Sequence, residues 1–580
     1  MRALPYLLHR VATRAPEPTP LEETSDPHGA YPRLEEAQIA QLEQHGARRS
    51  TGPGEVLFQQ GDDRYDFYVV LAGKVAKVDG TEGAPRRIAV HGRGRFLGDI
   101  GMLTGQPAFL TAVVEEPGEV LVVPVDRLRA VVGGDPVLGD LILRALLIRR
   151  SVLIGLQAGL RIVGSSYSPD TRRLRDFAAR NRVPHSLIDL DRDRAAESLL
   201  RRLGVAPEET PVAILGGTTV LRNPTTAELA SRLGLRQPDT EERVRDLIVV
   251  GVGPAGLAAA VYGASEGLDT VAVDAIATGG QAATSSRIEN YLGFPSGISG
   301  SELAERGTVQ AEKFGSQISV PSEAISLAED RGNHVVRLGD GNALHGRAVV
   351  IATGARYRRL EVPGLAQFEG ASVFYAATDM EAMLCGGQPV VVVGGGNSAG
   401  QAALFLASCC PRVHLVVLHE DLERDMSRYL ASRIVSEPLV ELHLHTQVAE
   451  LLGDAALREV VVEETHDGSR QTLDAGAMFV FVGMAPHADW LEGQLALDEH
   501  GFILTGQDAG GCSEHEGRAD IERDPFLLET SRPGVFAAGD VRSGSIKRVA
   551  SAVGEGAMAV RFVHEHLHAR HDTEIASGRR

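Results

Sequence analysis

Cysteine, tryptophan and long apolar runs are scarce in this sequence. Its 580 residues include one tryptophan and four cysteines, which are Cys385, Cys409, Cys410 and Cys512. The cysteines form no CxxC pair and have no metal-ligand spacing, so they predict free or buried thiols and no metal site. No apolar run reaches the roughly 18 residues of a membrane helix, and the run from Ala3 to Leu8 is too short for a signal peptide. We therefore expect a cytoplasmic protein with no membrane partner.

Positive charge is also in deficit. Lys and Arg number 58 against 77 Asp and Glu, which gives a formal net charge of −19. Because such a chain repels a phosphate backbone, we expect no nucleic-acid partner. The rest of the composition, with 43% hydrophobic and 23% charged residues, is typical of a globular protein. The length is sufficient for three or more domains.

A glycine-rich loop follows Asp246 and the short apolar run Leu247-Ile-Val-Val250. The segment Gly251-Val-Gly253-Pro-Ala-Gly256 leads into the helix-forming residues Leu257 to Ala260. The pattern predicts a strand, a tight turn and a helix whose N-terminus faces a pyrophosphate. Asp274 ends the next strand-like run, where a carboxylate would accept a hydrogen bond from a ribose hydroxyl.

A second loop of the same kind follows Pro389-Val-Val-Val-Val. It reads Gly394-Gly-Gly396-Asn397-Ser398-Ala399. A single GxGxxG pattern is weak evidence, but two copies with their flanking strands predict that two dinucleotides meet in one chain.

Residues 46–158 are predicted to form a β-rich unit, after a lead segment (1–45) that is partly disordered. Its apolar residues alternate with period two, and an apolar helix from about Pro136 to Leu153 closes it.

The run Phe96-Leu-Gly-Asp99-Ile-Gly-Met-Leu-Thr-Gly-Gln-Pro-Ala108 resembles the phosphate-binding cassette of the cyclic-nucleotide-binding domain. In that family a Glu holds the ribose and an Arg neutralises the phosphate, whereas Asp99 and Ala108 stand there in this chain. A lost charge-assisted contact costs about 1.5–3 kcal/mol, so a cyclic nucleotide is retained only as a candidate partner, and a structural or subunit-contact module is the alternative.

Residues 159–236 alternate strand and helix patterns. Their order resembles the thioredoxin/glutaredoxin fold, with Thr210-Pro211 at the family's cis-proline step. Where the family carries its CxxC, this chain has Ser168-Pro-Asp-Thr171. Hydroxyls cannot carry out dithiol exchange, so the resemblance implies a docking or spacer domain. No helix-turn-helix pattern is present, which argues against a transcription regulator.

Residues 237–365 and 484–580 resemble the FAD-binding part, and 366–483 the NAD(P)-binding part, of low-molecular-weight thioredoxin reductases. The resemblance rests on both glycine loops and on the motifs around Gly279-Gly280-Gln281, Val349 to Ala355, and Gly534 to Asp540. It implies that FAD contacts a set of residues which, besides the first loop and Asp274, comprises Gly280, Gln281, Asn290, Thr353, Gly354, Gly539, Asp540, Arg548, Val549 and Ala550. It implies that NADH or NADPH contacts Gly394, Gly396, Asn397, Ser398 and Ala399.

Two departures from that family affect the expected chemistry. Disulfide-reducing members carry Cys-Ala-Thr-Cys where this chain has Ala376-Ala377-Thr378-Asp379, and Cys385 stands alone nearby. After the second strand of the nicotinamide-binding part, where NADPH-specific relatives carry a His-Arg-Arg cluster, this chain has His419-Glu-Asp-Leu-Glu423. Acids there favour NADH, although Arg424 and Arg428 leave NADPH open.

The fold class we predict is therefore multidomain: a β-roll, an α/β thioredoxin-like unit and an α/β double-Rossmann-like flavoprotein. We expect an FAD-dependent NAD(P)H oxidoreductase, a homodimer, that passes electrons from flavin to an external acceptor such as a ferredoxin, a quinone or a small molecule. No catalytic side chain is predicted, because His487 and Asp489 are interpreted as local structure. The alternatives are a thioredoxin-disulfide reductase that uses partner thiols and a flavin-bearing redox sensor.

Overall fold

The computed structural model describes residues 22–26, 28–80, 86–216, 219–235, 243–285, 287–369, 371–375, 377, 379–385, 387–454, 456–510 and 523–576. The predicted linker Gln237–Glu242, Ala376, Thr378, Cys512 and most of the lead segment lie outside these residues. None of the helices in the described ranges has the length and apolar character needed to cross a bilayer.

The first unit is a β-roll closed by a long helix. Its two longest strands pair antiparallel, and their inward residues, such as Phe67 and Leu121, are fully buried. The closing helix begins where Asp135 caps it, because the Asp135 carboxylate accepts from the N–H groups of Val137 and Leu138 at 2.8 Å each. The strands are β1 (Ala47–Thr51), β2 (Val56–Phe58), β3 (Phe67–Asp79), β4 (Arg86–His91), β5 (Phe96–Leu97) and β6 (Thr111–Val123). The helices are α1 (Glu36–Glu43), α2 (Gly101–Thr104), α3 (Val125–Gly134) and α4 (Pro136–Gly155).

The second unit is a four-stranded sheet in the order β10-β9-β7-β8. Its strands are β7 (Leu160–Gly164), β8 (His185–Asp189), β9 (Val212–Leu215) and β10 (Thr219–Arg222). Its helices are α5 (Pro169–Arg180), α6 (Arg194–Arg202) and α7 (Thr226–Arg232). The Thr210-Pro211 peptide is cis, as the resemblance implies. The assignment of this unit to the thioredoxin fold stays a prediction, as do the domain boundaries.

The third unit begins with a parallel sheet in the order β13-β12-β11-β16, which continues through β15 and β14. Its apolar strands are buried on both faces, as is typical of parallel sheets covered by helices. The strands are β11 (Val244–Val250), β12 (Thr270–Val273), β13 (Gln317–Ser319), β14 (Ala324–Asp330), β15 (Asn333–Leu338), β16 (Ala343–Ile351) and β17 (Ala355–Tyr357). The helices are α8 (Pro254–Ser265), α9 (Gly300–Lys313) and α10 (Leu365–Phe368).

The chain then builds a second parallel sheet in the order β18-β25-β19-β20-β21, flanked by the three-stranded sheet β22-β23-β24. The strands of the parallel sheet are β18 (Val373–Phe374), β19 (Val390–Val393), β20 (Val413–Val416), β21 (Val440–His443) and β25 (Ala477–Val480). The flanking sheet consists of β22 (Thr446–Gly453), β23 (Leu457–Glu464) and β24 (Arg470–Asp474), and β26 (Met484–Pro486) pairs with β17. The helices are α11 (Asp379–Leu384), α12 (Asn397–Ala407) and α13 (Arg428–Ser436).

The last segment returns to the first parallel sheet. Strand β27 (Val535–Ala537) pairs with β16, after α14 (Gln507–Gly510) and before α15 (Val549–Ala576). The third unit is thus split in sequence by the second parallel sheet, and both sheets carry a strand, glycine loop and helix. The predicted β-roll and two-dinucleotide architecture is confirmed.

Candidate functional site

The first glycine loop connects β11 to α8 and leaves an open groove at the helix N-terminus. Gly251 has φ +97°, and a Cβ at Gly256 would lie 1.8 Å from the Gly251 carbonyl oxygen, so the fold itself requires both glycines. Gly253 differs, because its φ is −73° and an added Cβ would meet only the Gly280 Cα, at 3.9 Å. The open space beside Gly253 is where a pyrophosphate would face the N–H groups of α8.

Asp274, at the end of β12, ties this loop to the next one. Its carboxylate accepts hydrogen bonds from the N–H groups of Val252 at 2.8 Å, Ile276 at 2.9 Å and Ala277 at 3.2 Å. Burial raises the pKa of Asp274 despite these bonds. The side chain therefore has a structural role in loop geometry, and its predicted contact with a ribose hydroxyl stays a prediction.

A 3₁₀ turn at Gly280–Thr284 forms the other wall of the groove. The Gly279 N–H donates to the Val252 carbonyl at 2.6 Å, which joins the turn to the glycine loop. The Gln281 amide donates to the Ala355 carbonyl at 3.2 Å, while its Oε1 is buried and accepts no hydrogen bond from the described residues. A buried acceptor without a donor fits a ligand that carries an N–H group, such as an isoalloxazine ring. Asn290 is exposed in the segment between this turn and α9.

The C-terminal motif reaches the same groove. Gly539 (φ +76°) and Gly556 of α15 both lie against Ala255, in the first turn of α8. The Gly539 N–H donates to Glu555 at 2.7 Å, and Glu555 also accepts from Arg542 at 2.7 Å. Asp540 is half-buried next to them, and burial raises its pKa.

The start of α15 lies close to Asp540. Lys547 Nζ donates to the Asp540 carbonyl at 2.7 Å. Arg548 precedes the helix, whose first two residues are Val549 and Ala550, and the Arg548 and Ala550 side chains are exposed. The N-terminus of a helix is suited to partial negative charge on a bound ring.

The crossover to the second sheet passes through Thr353 and Gly354. Thr353 Oγ1 donates to the His487 carbonyl at 2.8 Å, and the His487 N–H donates to the Gly354 carbonyl at 2.9 Å. Asp489 forms an ion pair with Arg356 at 2.7 Å on the surface. These contacts give His487 and Asp489 structural roles at the crossover.

A family model described as pyridine nucleotide-disulphide oxidoreductase matches residues 245–556, which include all of these groups. The chain belongs to the pyridine nucleotide-disulphide oxidoreductase family. A second model, described as the cyclic nucleotide-binding domain, matches residues 48–135.

Several relatives share this architecture. NADPH-dependent thioredoxin reductase 3 of Arabidopsis thaliana is 30% identical over 369 residues, which are 61% of this chain and 66% of that protein. Thioredoxin reductase of Treponema pallidum is 32% identical over 54% of this chain and 94% of that protein. The crystal structure of T. acidophilum thioredoxin reductase superposes with a TM-score of 0.50 at 29% identity, over 56% of this chain and 99% of that one. The predicted FAD-dependent NAD(P)H oxidoreductase class and its cofactors are thereby confirmed.

The second glycine loop of this oxidoreductase connects β19 to α12. Gly394 has φ +140°, and a Cβ there would lie 2.3 Å from the Phe481 carbonyl oxygen. At Gly396, which caps α12, a Cβ would meet only the Asp425 carbonyl oxygen at 3.8 Å. Ala399 is fully buried and Ser398 is exposed. The loop repeats the open groove of the first one.

Asn397 in this loop fixes the segment that follows β20. Its Oδ1 accepts from the Ser427 N–H at 2.9 Å. In the same segment Arg424 lies 3.1 Å from His419 Nδ1, and Arg428 pairs with Glu423 at 3.2 Å. Both arginines are therefore engaged with neighbours, and the preference for NADH over NADPH stays a prediction.

The thiols of the second sheet lie away from its glycine loop. Cys385 precedes β19 and Cys410 precedes β20, so both lie at the amino ends of parallel strands, whereas the loop follows their carboxyl ends. We expected Cys385 to stand alone, but the Cys410 thiol donates a hydrogen bond that lowers the Cys385 pKa and raises the pKa of Cys410. Of the residues aligned with the missing disulfide, Ala377 is buried and Asp379 begins α11.

The β-roll contains charged residues that the sequence did not lead us to expect at its cassette. Arg150 of α4, 1% exposed, pairs with Asp99, 3% exposed, at 3.1 Å. Asp99 also accepts from the Gly101 N–H at 2.6 Å. Two further buried cations, Lys77 and Arg149, lie near, and burial lowers the pKa of Lys77 to about 8. The signal available in the sequence was the pair of adjacent arginines, Arg149 and Arg150, in a largely apolar helix. Asp99, which stands where the family has its ribose-binding glutamate, is thus paired with Arg150.

Ala108, in the position of the missing arginine, lines a cavity of about 1010 Å³. The cavity lies between the cassette and the four-stranded sheet, whose residues Gly216 and Arg222 form part of the opposite wall. A ligand there would contact both units.

Proposed function

We propose that this protein transfers reducing equivalents from NAD(P)H through FAD directly to an external acceptor, without a redox disulfide of its own. The observation that supports this most directly is the position of the thiols. In a parallel sheet the dinucleotide binds at the carboxyl ends of the strands. Cys385 and Cys410 lie at the opposite end, before the amino ends of β19 and β20. Ala376 and Asp379 replace the cysteines of disulfide-reducing relatives.

The bound flavin would supply hydride acceptance and electron release, and the polypeptide would supply binding and geometry. In this proposal the Gly253 groove and the N-terminus of α8 hold the pyrophosphate. Gln281 Oε1 would accept a hydrogen bond from a ring N–H, and Asp540 would accept one from the ribityl chain. The Gly396 groove holds the nicotinamide dinucleotide.

The test is steady-state oxidation of NADH and NADPH by the full chain with a panel of acceptors: ferredoxin, a soluble quinone, ferricyanide, thioredoxin and a small disulfide. The proposal expects turnover with a one-electron or quinone acceptor and none with the disulfides. Turnover limited to thioredoxin or the small disulfide would contradict it.

A thioredoxin-disulfide reductase that borrows partner thiols is the second candidate. It is favoured by the names of the relatives, several of which are thioredoxin reductases. Under this candidate, turnover with thioredoxin would require a second protein that carries a dithiol. A reaction with thioredoxin that appears only after such a protein is added would support it.

We also propose that the N-terminal units regulate the flavin site, because polar contacts run from the cassette to the FAD loops. Arg150 pairs with Asp99 and also donates to the Arg182 carbonyl at 3.1 Å. The Arg182 guanidinium pairs with Glu305 of α9 at 2.7 Å and donates to Ser301 at 2.6 Å. A shift of α4 would therefore reach α9 through one residue.

Helix α9 supports the 3₁₀ turn at Gly280–Thr284, which we call the flavin turn. A Cβ at Gly279 would lie 2.3 Å from the Ala304 Cβ, so the turn packs directly on the helix. Asn181, next to Arg182, donates to the Ile276 carbonyl at 2.9 Å in the loop between Asp274 and Gly279. The second unit thus contacts α9, on which the turn packs, and the loop that precedes the turn. This unit, with the β-roll, would act as a sensor under the flavin-bearing sensor alternative.

The regulatory part is tested by Arg182→Ala, with Arg201→Ala, an exposed residue of the same unit, as the matched control. We expect Arg182→Ala to alter the rate of flavin reduction by NAD(P)H, and Arg201→Ala to leave it unchanged. Equal rates in the two variants would contradict the coupling. A sensor would reduce its flavin once and then show no turnover with any acceptor.

A further inference from the structure

Two histidines and a glutamate meet on neighbouring strands of the second parallel sheet. His414 of β20 lies opposite Glu441 of β21, and His443 lies two residues further along β21, on the same face. That face packs against the three-stranded sheet, where Val416 and Leu473 share one apolar cluster. Within the described ranges, no other three His, Cys, Asp or Glu side chains bring their ligand atoms within 4.8 Å of one another.

The separations between the ligand atoms match those around a shared metal ion. His414 Nδ1 lies 3.1 Å from His443 Nε2 and 3.6 Å from Glu441 Oε2. His443 Nε2 lies 3.8 Å from Glu441 Oε1. In a tetrahedral site with bonds of about 2.0–2.1 Å, ligand atoms lie roughly 3.3–3.4 Å apart. The two distances to Glu441 end at different carboxylate oxygens, so a rotation of that carboxylate, together with shifts of a few tenths of an ångström, would bring one oxygen and both imidazole nitrogens to one ion.

The two imidazoles are shielded from solvent, whereas the carboxylate is accessible. His414 is 5% exposed and His443 is partly buried. Glu441 is half-exposed, which leaves water access on one side. Asp474 of β24 adds negative charge near His414, and Arg412, 3.5 Å from Glu441, is the one competing cation among the described neighbours that act on this group.

We propose that His414, Glu441 and His443 bind one divalent cation of the zinc class, with water at the remaining position. Two imidazoles and one carboxylate are a ligand set that suits Zn²⁺ and Co²⁺. The site adjoins the loop that follows β20, because the Val417 N–H donates to the His443 carbonyl at 2.9 Å. A bound ion would hold β21 against that loop.

The test is calorimetric titration of the full, FAD-loaded chain with Zn²⁺ after removal of metals by a chelator. We expect one ion per chain. Glu441→Gln and His443→Ala should weaken Zn²⁺ binding by at least about 100-fold, because loss of a ligand costs more than loss of a group that only hydrogen-bonds to a ligand. His466→Ala is the matched control, since His466 also pairs with a glutamate in the same sheet region, Glu464 at 2.9 Å, and it should bind Zn²⁺ like the parent.

Arg412→Ala distinguishes a metal site from a cluster that only stabilises the fold, because only a metal site predicts a change in Zn²⁺ affinity in this variant. Removal of this cation, which is 61% exposed, should tighten Zn²⁺ binding by about two- to fivefold. Flavin absorbance and circular dichroism check the fold of each variant. Absence of Zn²⁺ binding by the parent, unchanged binding in Glu441→Gln and His443→Ala, or an equal loss in His466→Ala would overturn the proposal. Cys385→Ser should leave Zn²⁺ binding unchanged, and a loss there would assign the ion to the thiols instead.

Discussion

Alanine at the two open glycines, Gly253 and Gly396, separates the role of each groove from the stability of the fold. Both residues have negative φ values, −73° and −91°, that alanine adopts without strain. An added Cβ would approach protein atoms no closer than 3.9 Å at Gly253 and 3.8 Å at Gly396. Because both residues cap helices, the change should cost less than about 1 kcal/mol of unfolding free energy.

The ligands would experience a larger effect. A methyl group placed where the pyrophosphate passes overpacks the groove, which costs about 1–3 kcal/mol, or roughly 5- to 150-fold in affinity. Gly253→Ala should therefore lose FAD on dialysis, while the free energy of unfolding of its apoprotein stays within about 1 kcal/mol of the parent apoprotein's. Gly396→Ala should retain FAD and raise the KM for NAD(P)H by that factor.

The two variants are controls for each other, measured by flavin content, steady-state kinetics and denaturant unfolding. The reasoning would be refuted if Gly253→Ala bound FAD as the parent does, or if Gly396→Ala lost FAD while its KM stayed unchanged. Gly256→Ala is the comparison in which the fold itself should fail, since its Cβ would lie 1.8 Å from a carbonyl oxygen.

Three further predictions concern the β-roll and a buried histidine. Arg150→Ala leaves Asp99 buried without its partner, so the free energy of unfolding should fall by about 3–5 kcal/mol. The control Arg201→Ala, at an exposed residue, should lower it by less than about 0.5 kcal/mol. Equal denaturation midpoints in the two variants would contradict this prediction. Ala108→Arg restores a guanidinium at the cavity and should tighten the binding of cyclic AMP by at least about tenfold. Calorimetric titration with cyclic AMP measures this change. Unaltered binding would mean that the cavity is not the nucleotide site. His334 is buried among His566, Arg532 and Arg570, which lowers its pKa to about 3. Because the unfolded state then binds more protons, stability should fall as pH drops from about 6.5 to about 3, and His334→Gln should flatten that part of the pH–stability curve; an unchanged slope would count against it.

Much of the dinucleotide architecture could be predicted from the sequence because its determinants are local. A glycine with positive φ, such as Gly251, is required by the turn between one strand and the next helix, and the turn is visible in a few consecutive residues. The same holds for Gly394 and for the Gly539–Asp540 turn. The C-terminal turn and the first glycine loop come together, because Gly539 lies against Ala255 in the first turn of α8.

The contacts between distant segments could not be predicted in this way. The pattern around Asp274 predicts only a contact with a ribose, and it does not indicate the hydrogen bond that the Asp274 carboxylate accepts from the Val252 N–H of the neighbouring loop. Arg150 lies 51 residues after Asp99, and no local pattern links the two. The pairing of Cys385 with Cys410, and of His414 with His443, likewise depends on which strands become neighbours.

The number of electrons that the protein accepts tests the central claim most directly. Anaerobic titration of the FAD-loaded chain with dithionite, followed at the flavin absorbance, measures it per bound flavin. A protein whose flavin is its only redox group takes up two electrons per flavin, and Cys385→Ser gives the same value. Uptake of four electrons, reduced to two in Cys385→Ser, would show that sulfur shares the electrons and would contradict the account.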